Sequence, residues 1–243
     1  MARADEDELV RQSAARLYGD GQPIWKASDR WNARKRAAID QFARRHAQEH
    51  LDGARFVLDA GCGCEPYDWL PRNTVSFDRF WKQTRQRSWP AAGDLTRLPF
   101  RTSSIDVAVC VASVLNYVPA AEALSELARA TRPGGHLLLH FETSTSLEQF
   151  GRRNWGALAT RLETLNSGRE DTLWIYRPSY VRTLLTSLGF EIQRQQSFHI
   201  LSALGLRIGL GQQSAARLAI FDAMLAPLGD LADDVILLAE KRA

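Results

Sequence analysis

Three aspartates of this sequence each stand at the end of a predicted β-strand. Asp59 follows the short apolar run at 56–58, and Asp78 ends the segment "TVSFD" 19 residues later. Asp94 ends a weaker strand pattern. The carboxyl ends of parallel strands meet at one edge of a sheet, where α/β proteins bind ligands, so we expect the three carboxylates to lie together. Ionised carboxylates only accept hydrogen bonds, so this edge suits a ligand with an ammonium group, a ribose diol and an exocyclic amine.

A loop of small residues follows the first of these aspartates. Gly61 and Gly63 free the backbone to turn tightly and to approach a ligand closely. A dinucleotide-binding fingerprint would need a third glycine at position 66, where this sequence has Pro66. The loop therefore argues against a dinucleotide-dependent dehydrogenase and favours a ligand without a pyrophosphate. S-adenosylmethionine is such a ligand, and it has all three donor groups.

Three further residues are candidates for proton transfer. His140 and Glu142 alternate on a predicted strand at 136–142, so both side chains point to the same face of the sheet. Tyr117 lies in the segment "VLNYV" that follows the fourth predicted strand. Each of the three could act as a general base for an acceptor hydroxyl or amine. A buried core pair is an equally good interpretation of His140 and Glu142.

Strand and helix patterns alternate along the chain, which predicts an α/β fold with a mostly parallel sheet. The predicted strands are 55–59, 74–78, 87–94, 104–113, 136–142, 190–200 and 234–242, and the predicted helices are 30–49, 120–131 and 178–190. Segments 143–177 and 201–232 do not fit this alternation and are interpreted as insertions that form a substrate lid. We expect residues 1–50 to form an N-terminal helical cap and residues 51–243 to form the main domain.

Five motifs, in this order, resemble a known family. They are "VLDAGCG" (57–63), "FD" (77–78), "GDLTRLPF" (93–100), "IDVAVCVASVLNYV" (105–118) and "ATRPGGHLLL" (130–139). Together they are similar to the class I S-adenosylmethionine-dependent methyltransferases, in the branch of small-molecule enzymes like those of quinone biosynthesis. The resemblance implies a Rossmann-like sheet of seven strands in the order 3-2-1-4-5-7-6, flanked by helices, with the last strand antiparallel.

The resemblance also implies which residues bind the cofactor. Asp59 would bond its amino group and Asp78 its ribose hydroxyls, while Asp94 would border the adenine. The other expected contacts are Gly61, Cys62 and Gly63 at the methionine part, Arg79 next to Asp78, Leu95 at the adenine, and the backbone of Ala112 and Ser113 at the methionyl tail. The sequence departs from the family at Cys64–Tyr67, where a further small residue is usual. It also has Asn116 and Tyr117 where many relatives have an acid or a histidine.

Composition and charge argue against several classes of protein. The chain has 243 residues, is 45% hydrophobic and has no apolar run of the ~20 residues that a membrane-spanning helix needs. Its first residues are too charged for a secretory signal, so we expect a cytoplasmic protein. Cys62 and Cys64 have no second Cys or His pair at zinc spacing, which argues against a metal site. A net charge of +3 with scattered arginines argues against a nucleic-acid partner.

The sequence therefore predicts an enzyme that transfers a methyl group from S-adenosylmethionine to an oxygen or nitrogen atom of a small molecule. An RNA or protein methyltransferase is one alternative. A non-catalytic partner subunit that binds S-adenosylmethionine is another. The identity of the acceptor and the oligomeric state stay open at this point.

Overall fold

A seven-stranded β-sheet forms the centre of the fold. The computed structural model describes residues 2–23, 28–166 and 168–242. The sheet strands are β1 (Val57–Ala60), β2 (Thr74–Asp78), β3 (Pro90–Ala92), β4 (Ile105–Cys110), β5 (Thr131–Glu142), β8 (Phe190–Phe198) and β9 (Asp234–Lys241). Between β5 and β8, the strands β6 (Ala159–Asn166) and β7 (Arg169–Tyr176) pair with each other in a separate antiparallel hairpin.

The order of the strands in the sheet is β3-β2-β1-β4-β5-β9-β8. β9 runs antiparallel to both of its neighbours, and the pairs among β1 to β5 are parallel. The predicted Rossmann-like sheet with an antiparallel last strand is therefore confirmed. β4 ends at Cys110, earlier than expected, because Ala112 and Ser113 turn away with φ angles of 58° and 64°.

Helices flank the sheet. They are α1 (Ala2–Tyr18), α2 (Arg30–His46), α3 (Gln48–Asp52), α4 (Trp81–Thr84), α5 (Ala120–Ala130), α6 (Pro178–Ser187), α7 (Ile200–Arg207) and α8 (Gln212–Ala215), with 3₁₀ segments at Val114–Tyr117, Leu147–Gln149 and Ala216–Leu231. Residues 61–73, which join β1 to β2, form no helix. Pro66 and Pro71 lie in this connection, and each removes a backbone N–H that a helix would use. Among the described helices, none combines the length and the apolar character needed to cross a membrane.

Successive residues of the central strands pack into two cores on opposite faces of the sheet. Ala108 of β4 belongs to the core that contains Leu124 of α5, whereas the next residue, Val109, belongs to the core that contains Ile39 and Phe42 of α2. All five side chains are buried. Burial of each large apolar side chain contributes about 1.5–3 kcal/mol. The two cores fix the sheet and thereby place the loops at its carboxyl edge.

The N-terminal helix α1 docks on the hairpin β6–β7. Ser13 of α1 donates a hydrogen bond from its Oγ to Oδ1 of Asp171 at 3.0 Å and accepts one from the backbone N–H of Thr172 at 2.8 Å. The predicted cap and the first predicted insertion therefore contact each other directly. Residues 24–27 and Ser167, which belong to these two segments, lie outside the described residues.

The packing around the glycine loop generates a stability prediction. Gly61 has a φ of 82°, and a Cβ at this position would meet both γ-carbons of Val114 at 2.4 Å. We expect Gly61→Ala to lower the free energy of unfolding by about 1–3 kcal/mol, because the added methyl group is overpacked and the backbone is strained. Urea unfolding followed by circular dichroism measures this change.

Gly63→Ala is the matched control for this experiment. Its φ of 55° also favours glycine, but a Cβ at Gly63 would have no described atom within 4 Å. The loss of stability should therefore be smaller than at Gly61. Adding Val114→Ala to Gly61→Ala should recover part of the loss, and equal losses at the two glycines would contradict the packing explanation.

Candidate active site

Two cavities meet at the carboxyl edge of the sheet. The smaller cavity has a volume of about 160 Å³ and is lined by the loop after β1 and by residues that follow β2 and β3. The larger cavity has a volume of about 810 Å³ and is lined by residues of α1, α2 and the hairpin β6–β7. Tyr18, Ala112 and Tyr117 line both cavities, so these three residues form the boundary between them.

The structure brings most of the predicted cofactor-binding residues to the smaller cavity. Those that line it are Gly61, Cys62, Gly63, Asp78, Arg79, Asp94, Leu95 and Ala112. Ser113 lines the larger cavity instead. Asp59 is buried at the end of β1, next to the glycine loop.

Asp78 holds the glycine loop in place. Its Oδ2 accepts a hydrogen bond from the backbone N–H of Gly63 at 3.2 Å, and its Oδ1 accepts one from the backbone N–H of Phe80 at 2.9 Å. Burial raises the pKa of this carboxyl group, while the backbone N–H donors oppose the rise. Each carboxylate oxygen has a second lone pair, so Asp78 can still accept hydrogen bonds from a pair of ligand hydroxyls.

Asp94 and Leu95 give the same cavity one polar and one apolar surface. Oδ1 of Asp94 accepts hydrogen bonds from the backbone N–H of Thr96 at 2.9 Å and from its hydroxyl at 2.7 Å, which fixes the turn. Oδ2 of Asp94 lies 3.9 Å from Arg11. Leu95 is buried beside it. This pair suits a flat heterocycle that has an amino substituent.

The Asp59 carboxylate has no hydrogen-bond partner among the described residues, although the residue is only 4% exposed. Burial raises its pKa to about 7, the charge of Arg87 opposes this rise, and the charge of Asp78 adds to it. Arg87 itself donates a hydrogen bond to the carbonyl oxygen of Gly63 at 3.0 Å. A buried carboxylate without a partner is costly, so a ligand that brings a cation would stabilise it.

The boundary between the cavities contains a strained turn. Ala112 and Ser113 both have left-handed φ angles, which cost residues other than glycine about 1–3 kcal/mol each. Nδ1 of His140 accepts a hydrogen bond from the backbone N–H of Ser113 at 3.0 Å, and Oε1 of Glu142 accepts one from its hydroxyl at 2.8 Å. Two of the residues proposed for proton transfer thus hold this turn.

His140 has both ring nitrogens engaged. Because Nδ1 accepts a hydrogen bond from the backbone N–H of Ser113, Nε2 carries the ring hydrogen and donates a hydrogen bond to Oδ1 of Asp234 at 3.0 Å. The side chain is fully buried and lines neither of the two cavities. Burial lowers the pKa of His140 and the Asp234 carboxylate opposes this shift, so the imidazole is neutral. The geometry gives His140 a positioning role, whereas Glu142 lines the larger cavity.

Lys35 of α2 is a buried residue that sequence reasoning did not identify. Its Nζ donates a hydrogen bond to Oε1 of Glu142 at 2.6 Å and lies 3.1 Å from Oδ1 of Asp234. Burial lowers the pKa of Lys35, but the charges of these carboxylates raise it above its ordinary value, so the ammonium group stays charged. A signal was present in the sequence, because Lys35 is four residues from both Trp31 and Ile39 on the buried stripe of α2.

Asp234, the first residue of β9, forms an ion pair with one residue and hydrogen bonds with two others. Lys35 and His140 approach Oδ1, and Nδ1 of His199 donates to Oδ2 at 2.7 Å. Burial raises the pKa of Asp234, but the Lys35 charge and the histidine hydrogen bonds lower it well below its ordinary value. Ligand atoms of His199, Asp233 and Asp234 lie within 4.8 Å of one another, a spacing that could hold a metal ion. The Lys35 ammonium group supplies positive charge at Asp234, which argues against a metal there.

Tyr117 is hydrogen-bonded within the boundary. Its hydroxyl donates to Oδ2 of Asp171 at 2.6 Å, and the hydroxyl of Tyr18 lies 3.2 Å away. Burial raises the pKa of Tyr117 well above its ordinary value, and the neighbouring Tyr18 and Asp171 raise it further. Tyr117 is therefore a protonated donor rather than a phenolate base. Asp171 was not identified from the sequence, because it lies in an insertion without a recognisable motif.

The chain is similar to known proteins over its central part. Residues 58–139 match a family model described as a methyltransferase domain. A demethylmenaquinone methyltransferase of Beutenbergia cavernae is 34% identical over 113 residues, which cover 43% of this chain and 45% of the relative. Residues 58–139 therefore have the sequence features of a methyltransferase domain. Its matches to the first curated relatives span between 28% and 45% of the length of those proteins.

Solved structures share the fold of the methyltransferase domain at low sequence identity. A geranyl diphosphate C-methyltransferase from Streptomyces coelicolor A3(2) aligns with a TM-score of 0.60 and 13% identity, over 96% of this chain and 97% of its own. The [4+2]-cyclase SpnF aligns with a TM-score of 0.56 and 19% identity, over 99% of this chain and 94% of its own. The two names describe different reactions, so the shared fold alone leaves the reaction open.

The residues around the smaller cavity fit S-adenosylmethionine, the cofactor predicted from the sequence. The unpartnered Asp59 carboxylate matches the ammonium group, and Asp78 retains acceptor capacity for the ribose hydroxyls. Beside Gly63 a Cβ would meet no described atom within 4 Å, so the loop leaves room for a ligand. Burial raises the pKa of the Cys62 thiol, which keeps this group of the glycine loop uncharged.

The raised pKa of Asp59 predicts that cofactor binding depends on pH. The ionised form binds an ammonium group, and a pKa of about 7 means that most of this form is lost between pH 8 and pH 6. We expect the affinity for S-adenosylhomocysteine, measured by calorimetry, to fall about tenfold over this range. Asp59→Asn should bind more weakly at pH 8 and show a flat profile. A flat profile in the unsubstituted protein would contradict the assignment.

With rising pH, the stability of the ligand-free protein should change in the opposite direction to the cofactor affinity. The pKa of Asp59 rises from 3.8 in its ordinary state to about 7 in the folded protein, so the unfolded chain loses this proton first as the pH rises. The Asp59 contribution to the free energy of unfolding therefore falls between about pH 4 and pH 7. Urea unfolding at several pH values, with Asp59→Asn as the reference, measures it.

The Lys35 network generates a further stability prediction. Lys35→Met leaves Glu142 and Asp234 without their cation, and breaking a buried ion pair costs about 3–5 kcal/mol. Urea unfolding should show a loss of this size. Lys82→Met is the control, because Lys82 is exposed and should leave the unfolding curve unchanged. A loss at Lys35 no larger than at Lys82 would contradict a structural role for the network.

Proposed function

We propose that this protein transfers a methyl group from S-adenosylmethionine to an oxygen or nitrogen atom of a small molecule. The observation that supports this function most strongly is the contact between the two cavities at Tyr18, Ala112 and Tyr117. The smaller cavity has the residues expected for the cofactor. The larger cavity, of about 810 Å³, provides space for an acceptor on the other side of that boundary.

The chemistry of the reaction assigns distinct tasks to the residues of the chain. The bound cofactor supplies a methyl group that is electrophilic because it is attached to a sulfonium. The protein therefore has to align an acceptor atom with that methyl group and exclude water. The turn at Ala112 and Ser113, held by His140 and Glu142, positions the boundary at which the two ligands meet.

Tyr117 and Asp171 form the best-placed route for the proton that an acceptor hydroxyl or amine loses. The acceptor proton moves to the oxygen of Tyr117 while the tyrosine proton moves along the 2.6 Å hydrogen bond to Asp171. Burial raises the pKa of Asp171, which makes it a stronger proton acceptor than an exposed aspartate. Of the three side chains predicted for proton transfer, Tyr117 thus has a relay role and His140 a positioning role in this proposal.

A small-molecule acceptor is favoured over an RNA acceptor by the charge of the larger cavity. Six carboxylate side chains and two cationic side chains line it, which is unfavourable for a phosphate backbone. The curated relatives are named for a quinone precursor, which is also a small molecule. The alternative of a non-catalytic cofactor-binding subunit differs in one measurable property, because such a subunit would bind S-adenosylmethionine without turnover.

Replacement of Asp78 tests the cofactor site. We expect Asp78→Ala to weaken S-adenosylhomocysteine binding by about 2–3 kcal/mol, because two ribose hydroxyls lose a charged acceptor. Asp78→Asn should have a smaller effect, since an amide oxygen still accepts one bond. Asp68→Ala is the matched control, because this loop carboxylate is 80% exposed and bonded to Arg44. Calorimetry that gave equal affinities for Asp78→Ala and the control would remove Asp78 from the ribose role.

Turnover with a panel of acceptors tests the transferase activity itself. The protein is incubated with S-adenosylmethionine labelled in the methyl group and with phenols, alcohols or amines, and labelled products are identified by mass spectrometry. Product should form with at least one class, and Tyr117→Phe should lower the rate without lowering S-adenosylhomocysteine affinity. Tight cofactor binding with no transfer to any acceptor would favour the non-catalytic subunit.

A further inference from the structure

The larger cavity has an excess of acidic side chains. Its acidic lining residues are Glu142, Glu148, Glu163, Glu170, Asp171 and Asp233, and its cationic lining residues are Arg16 and Lys35. The Lys35 ammonium group is already bonded to Glu142 and lies at ion-pair distance from Asp234, which is outside the lining. Arg16 is exposed to solvent. The cavity lining therefore has more carboxylates than cations to balance them.

Asp233 is the most buried of the acidic lining residues after Asp171, which is hydrogen-bonded to Tyr117 and Ser13. It is 8% exposed, and its side chain has no hydrogen bond or ion pair among the described residues. Its backbone is fixed, because its carbonyl oxygen accepts a hydrogen bond from Thr143 at 2.8 Å and its N–H donates one to His199 at 3.4 Å. The carboxylate thus lines the cavity on a rigid segment at the start of β9. Desolvation of such a group is costly unless a ligand pairs with it.

Glu148 lies near Asp233, and its carboxylate also lacks a hydrogen-bond partner among the described residues. Burial raises the pKa of Glu148, and the charge of Arg152 opposes this rise. Burial raises the pKa of Asp233 well above its ordinary value, the charges of Asp234, Glu142 and Glu148 add to this rise, and the charge of Lys35 opposes it. Trp31 and Tyr18 also line this cavity, and aromatic rings can attract cations.

We propose that the acceptor molecule contains a protonated amine, and that the carboxylates of Asp233 and Glu148 bind this ammonium group in the larger cavity. The proposal rests on the proposed function and specifies its substrate class. A neutral acceptor with a long hydrocarbon chain would leave both carboxylates desolvated without a partner. An anionic acceptor would be repelled by them.

Three probes of one shape test this proposal: tyramine, tyrosol and 4-hydroxyphenylacetate. They share a phenol ring and end in an ammonium group, a hydroxyl group and a carboxylate, respectively. Each is titrated by calorimetry into the full-length protein saturated with S-adenosylhomocysteine at pH 7. Tyramine should bind at least tenfold more tightly than tyrosol, and 4-hydroxyphenylacetate should bind most weakly.

Single substitutions assign the preference to the two carboxylates. Asp233→Asn and Glu148→Gln should each reduce the affinity for tyramine at least fivefold and leave that for tyrosol unchanged. Glu163→Gln is the matched control, because Glu163 lines the same cavity but its side chain is 72% exposed and lies 3.1 Å from Arg161. Unchanged S-adenosylhomocysteine affinity and circular dichroism verify the fold of each variant. If one of the two variants does not fold, the other carries the test.

The outcomes separate this proposal from the proposed function. Failure of the unsubstituted protein to bind S-adenosylhomocysteine would count against the proposed function. If the cofactor product binds, equal or tighter binding of 4-hydroxyphenylacetate than of tyramine overturns the amine proposal. So does the absence of binding by all three probes, or an ammonium preference that survives both Asp233→Asn and Glu148→Gln.

Discussion

The buried contact between Lys35 and Asp234 is the interaction on which the arrangement of the site depends. It joins α2, in the segment predicted to form an N-terminal cap, to the first residue of the last strand. Neither charge can be buried alone, because desolvation of a single ion costs several kcal/mol. The pair is completed by Glu142 on one side and by His140 on the other. Helix α2 and the sheet are therefore held together at the edge where the two cavities meet.

The same network stabilises a backbone conformation that the chain would otherwise avoid. Ala112 and Ser113 have left-handed φ angles, and hydrogen bonds from Ser113 to His140 and Glu142 offset that strain. This turn separates the smaller cavity from the larger one. In the proposed reaction, His140 and Glu142 therefore act by fixing the shape of this boundary. Tyr117 adds a polar contact at the boundary through its hydrogen bond to Asp171.

The fold and the charge of the cavities provide different kinds of information about function. A methyltransferase and a cyclase share this fold, so the architecture alone leaves the reaction open. The acidic lining of the larger cavity is a property of this chain's own residues, and the proposal of a cationic acceptor depends on it and on the unpaired Asp233 carboxylate.

The sequence by itself determined the sheet and the residues of the smaller cavity. Strand-end acids such as Asp78 and the glycine loop are local features, since each depends on residues next to it in the chain. Only the tertiary structure decided the roles of Lys35, Asp171 and Asp233, because their partners come from distant segments. Lys35 contacts Glu142 across 107 residues, and Ser13 contacts Asp171 across 158. Burial and charge balance at such positions are properties of the packed molecule, and no local pattern encodes them.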